Sequence, residues 1–84
     1  MKEIASIVDE ALSEARSCIL EPQAIEAGVL FGTDLLRAEV DPVRQTEIQT
    51  ALTDTLPKTA PGSNARAFMT ALLATVEAVW EYVQ

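Results

Sequence analysis

Histidine is absent from this chain, which removes the commonest general base and the commonest metal ligand together. Cys18 is the only cysteine, so no intramolecular disulfide and no thiolate-based metal site can form within one chain. Its isolation points to a reducing, cytoplasmic setting. Six bases (Lys2, Arg16, Arg37, Arg44, Lys58 and Arg66) are scattered, and no basic stripe offers itself to nucleic acid or to an anionic membrane. The longest unbroken apolar run, residues 27–32, is far short of the ~20 residues that cross a bilayer. Met1-Lys2 is followed by Glu3, Asp9 and Glu10, a pattern unlike a signal peptide. Phosphate-binding glycine loops, nucleophile elbows and Cys/His ligand spacings are also missing. The expectation is a protein that is not an enzyme and needs no cofactor or metal.

What is present is aliphatic and acidic. Apolar residues make up 49% of the sequence but aromatics only 5%, so the core must be built from Leu, Ile, Val and Ala. Thirteen acids against six bases leave a net charge of −7. Such a chain folds as one domain, residues 1–84, whose core covers only about 60–65% of the unfolded surface.

Helical spacing dominates. Ile4, Ile7, Val8, Ala11, Leu12, Ala15, Cys18 and Ile19 recur at the i, i+3, i+4, i+7 positions of one helix face. That stripe makes Cys18 a core residue and Leu12 the centre of the first helix. Pro22 forces the helix to end before it and suits the first turn of the next. The second helix runs to about Val40, and Asp41-Pro42 marks a restart with Asp41 as N-cap. A third helix follows over residues 42–56 on a weaker stripe of Ile48, Ala51, Leu52 and Leu56, although Thr46 with Gln49 offers a competing start. Pro57, Pro61 and Gly62 mark a loop. Ser63 or Asn64 then caps a last helix striped by Phe68, Met69, Leu72, Leu73, Val76, Val79, Trp80 and Val83. The fold class is all-α, a compact four-helix domain.

The second helix is the unusual one. At about 100° per residue, its apolar positions between Ala24 and Val40 span an arc of roughly 220°. A helix apolar nearly all round is buried on more than one side. Gly28 and Gly32 sit inside it, each costing about 1 kcal/mol against alanine. They mark either a groove where another backbone comes close or a break at Gly32. The run Gly32-Thr33-Asp34-Leu35-Leu36 is similar to the Gly-x-Asp-Ser-Leu attachment motif of acyl carrier proteins. Leu35 stands where that family's phosphopantetheine-bearing serine must be, so no carrier function follows.

On the last helix, Ala67, Ala71, Ala74 and Ala78 form a smooth ridge beside Tyr82. Together with Phe31 and Leu35 on the second helix, Ala71, Ala74, Ala78 and Tyr82 are the candidate protein-binding residues. They predict a homodimer, or a second protein partner. Small acidic helical chains without catalytic residues fit regulators or inhibitors, phage-encoded ones among them, by analogy of size and class. Two alternatives are a structural subunit of a larger complex and a nucleic-acid mimic. The mimic would set Glu3, Asp9, Glu10 and Glu14 of the first helix into a basic groove.

Overall fold

The computed structural model describes residues 2–83, with the side chains of Tyr82 and Val83 outside the described set. It is all-helical, with four α-helices: α1 (Ile4–Ser17), α2 (Glu21–Ala38), α3 (Pro42–Thr55) and α4 (Asn64–Val83). One 3-10 turn, Leu56–Lys58, follows α3, and there is no strand among the described residues.

Each boundary has a local cause. The joint between α1 and α2 is stapled from two sides. The N–H groups of Ile19 and Leu20 donate to Gln23 Oε1 at 3.0 and 3.5 Å, which covers donors at the start of α2. Asn64, the first residue of α4, donates its amide to the carbonyls of Cys18 and Ile19, both at 3.0 Å. These bonds claim residues 18–20 for the joint, so α1 stops at Ser17 rather than continuing toward Pro22. Cys18 is accordingly a half-buried cap residue at the rim of the core, not a fully buried one, and its thiol donates to the Glu14 carbonyl at 3.4 Å.

Asp41 Oδ1 accepts from the Val43 N–H at 2.9 Å, and Pro42 opens α3 as expected. The competing start is unused, because the Thr46 hydroxyl donates back to the Pro42 carbonyl inside the helix. Ser63 Oγ accepts from the Arg66 N–H at 3.1 Å and caps α4. Arg66 also donates to both the hydroxyl and the carbonyl of buried Thr59, which locks the loop onto the domain.

The core follows the stripes. Ile7, Ala11 and Ala15 of α1 meet Ile48 and Leu52 of α3 and the Phe68–Trp80 stripe of α4, with Ala24 and Leu35 from α2. Leu72 and Val76 are fully buried at the middle of α4, while Leu12 is only half-buried on the flank of α1.

The tightest pairing is α2 on α4. Gly28 lies against Phe68 and Ala71, and Gly32 against Leu72 and Thr75, so the two helices run parallel. A Cβ built on Gly28 would sit 2.4 Å from the Phe68 carbonyl oxygen and 3.0 Å from the Ala71 Cβ. Interaxial distance is set by the side chains at the contact. With none at residues 28 and 32, the backbone of α4 can cover the middle of the wide apolar arc.

Candidate functional site

The close fit of α2 on α4 has a counterpart on its other flank. Where α2 faces α1, the pairing is much looser. The result is an open groove of about 830 Å³. Its floor is apolar, made by Ile7 of α1 and by Phe31, Leu35 and Ala38 of α2. The Phe31 ring is held edge-on against Phe68, with centroids 5.9 Å apart, so this part of the floor is braced by the core.

The rim is acidic. Glu10 and Glu14 rise from α1, one helical turn apart with Ser13 between them, and Asp34 and Glu39 stand on the α2 side. Two of these carboxylates are already neutralised. Lys2 Nζ pairs with Glu10 at 2.9 Å, and both side chains are well exposed. Glu39 accepts from Arg44 Nε at 2.7 Å and from its Nη2 at 3.2 Å, a two-pronged pair with side chains only 12% and 14% exposed. The same guanidinium donates to the Lys2 carbonyl at 2.7 Å and so closes one end of the groove. Among the described residues, neither Glu14 nor Asp34 has an ion-pair partner.

The hydrogen bond from Arg44 holds the Glu39 carboxyl below its ordinary range, against the opposing effect of burial. A depressed carboxyl pKa stabilises the fold above the unfolded-state value. That stabilisation disappears as pH falls through the folded value. The knot at the end of the groove is therefore acid-labile.

The predicted contact residues divide between two separate surfaces. Phe31 is half-buried in the groove floor. Leu35, expected on an outward arc, is only 7% exposed and belongs mainly to the core. The alanine ridge lies elsewhere. Ala71 is half-buried against Gly28, so the helix that packs on that stretch of the ridge is α2 of the same chain. Ala74 and Ala78 are exposed, and the Tyr82 side chain lies outside the described residues. Phe31 and the alanine ridge therefore do not form one patch, because the backbone contact at the glycines separates them. Glu3, the residue before α1, and Asp9, Glu10 and Glu14 on α1 are all exposed, and the last two line the groove.

Asp34, Ala38 and Ser13 were not singled out as contact residues from the sequence. By helical phase Asp34 lies among the polar residues of α2 and Ser13 among those of α1, so neither stands out in the sequence as a contact residue. Only the pairing of α1 with α2 turns those two boundaries toward each other.

Among the described residues, no three of the potential metal ligands converge, and no helix is long and apolar enough to cross a membrane. No protein-family model matches the chain, and no curated protein and no solved structure matches it either.

Proposed function

We propose that this chain is a protein-binding module of the regulator or inhibitor kind, and that the α1–α2 groove is where a partner docks. One observation carries the reading: an apolar floor braced by Phe68 lies open between acidic walls. Protein contacts are commonly built this way, with an apolar anchor at the centre and a polar rim around it. Ser13→Trp tests the reading, because Ser13 is an exposed lining residue whose enlargement fills the groove without entering the core. A protein retained from native cells by the unaltered chain should be lost with Ser13→Trp and kept with Ala74→Trp, both variants showing unchanged helical circular dichroism. Loss with Ala74→Trp alone would move the contact to the α4 ridge.

A homodimer is a second reading, now on that other face. Ile25 and Val29 of α2 are 44% and 42% exposed, and by helical phase they flank α4 on the side of Ala74 and Ala78. A two-fold contact uses one patch twice. Light scattering should then report about twice the 9.1 kDa chain mass, and Val29→Glu should return the monomer by burying an unpaired charge. A monomeric mass for the unaltered chain excludes it. Mimicry of nucleic acid by the exposed acids of α1 makes no use of the apolar floor, and differs by a steep loss of binding with salt even after that floor is blocked.

A further inference from the structure

Resting on the groove as a docking site, we propose that its occupant is a basic amphipathic helix of a protein partner. The apolar side of that helix sits on the Phe31 floor, and its lysines or arginines lie against Glu14 and Asp34.

Charge and shape on the two walls support this choice of occupant. Four carboxylates line the groove, and the cations already there, Lys2 and the guanidinium of Arg44 at one end, are engaged by Glu10 and Glu39. Glu14 on one wall and Asp34 on the other are left to meet a cation supplied from outside. A second copy of this chain is a poor source, since it brings a further net charge of −7. A nucleic acid is repelled by the same rim. A purely basic, unstructured tail would leave Phe31 and Ala38 uncovered. A helix that is apolar at i, i+3/i+4 and i+7 and basic on its flanks satisfies both floor and walls. Charge complementarity of this kind raises the encounter rate and selects against acidic competitors.

The test uses four synthetic peptides of about five helical turns. The first has leucines at i, i+3/i+4 and i+7 with lysines on the flanks. The second scrambles it to break the stripe, and the third and fourth carry glutamine or glutamate for lysine. Calorimetry should show the first peptide binding the whole protein. Its affinity should fall about tenfold in the double variant Glu14→Gln, Asp34→Asn and by a similar factor at high salt. The scrambled and glutamate peptides should bind about tenfold more weakly or not at all.

Equal binding of the scrambled peptide would reduce the effect to bulk charge and overturn the proposal. Equal binding of the glutamine peptide, with shifts at the Phe31 ring in nuclear magnetic resonance spectra, would overturn the basic partner but leave the groove as a docking site. If no peptide moves the Phe31 and Ser13 resonances, the docking site itself falls with it.

Discussion

Leu72→Ala should remove about 2–5 kcal/mol of stability, the range for truncating a fully buried leucine whose neighbours cannot collapse into the space. Leu72 has no exposed surface, sits mid-helix in α4, and its carbonyl lies beside Gly32, so it is packed from several sides. A domain of this size has a total stability of the order of 5–15 kcal/mol, so the loss is a large share of it. The melting temperature should drop by roughly 10 °C or more. Thermal denaturation followed by circular dichroism measures this. An unchanged midpoint would mean that the α4 stripe does not form the centre of the core.

Gly28→Ala should also destabilise the protein, although alanine is the better helix former by about 1 kcal/mol. The added methyl would meet the Phe68 carbonyl oxygen at 2.4 Å, and a backbone atom cannot rotate aside. Helix α2 would have to move off α4, at the upper end of the about 1–3 kcal/mol that overpacking costs. Gly32→Ala is the internal control. There the nearest atoms are Thr75 Cβ and Cγ2 at 2.9 Å and the Leu72 carbonyl oxygen at 3.3 Å, a shallower overlap than at Gly28, so its cost should be smaller. Gly62 has φ +77° and open space around it, so Gly62→Ala costs only the left-handed strain of about 1–2 kcal/mol. The order of urea midpoints, with Gly28→Ala lowest among the three, checks the account. A Gly28→Ala protein as stable as the unaltered one would show that the two backbones do not touch.

The helices were legible in the sequence wherever side-chain spacing and capping agreed. Asp41-Pro42 marked the start of α3 because a carboxylate one residue before a proline at the first helical position serves the local backbone alone. The α4 stripe was equally plain, since every third or fourth residue from Phe68 to Trp80 is apolar. Cys18 was misplaced because the end of α1 is decided by Asn64, a residue 46 positions away, which takes the carbonyl at the joint. No local pattern carries that information.

The site was legible only in parts. The wide arc of α2, the glycines, Phe31 and the acids of α1 were all visible. How α2 divides its arc was not. Gly28 and Gly32 turn the middle of it toward α4, leaving Phe31 toward α1 and Ile25 with Val29 toward solvent. Helical phase within α2 distinguishes these three directions but does not say which neighbour fills each. For the same reason the alanine ridge and Phe31 were read as parts of one excess of apolar surface. One end of that ridge is in fact covered by α2 itself.

The groove exists because α2 is drawn tightly to α4 on one side and held away from α1 on the other, so the most direct test reads those contacts in solution. Nuclear Overhauser spectroscopy should show strong cross-peaks from the Gly28 Hα protons to the Ala71 methyl group and from the Phe31 ring to the Phe68 ring. Absence of the Gly28–Ala71 cross-peak in a folded, assigned sample would contradict the parallel backbone contact, and the groove built on it with Phe31 as its floor.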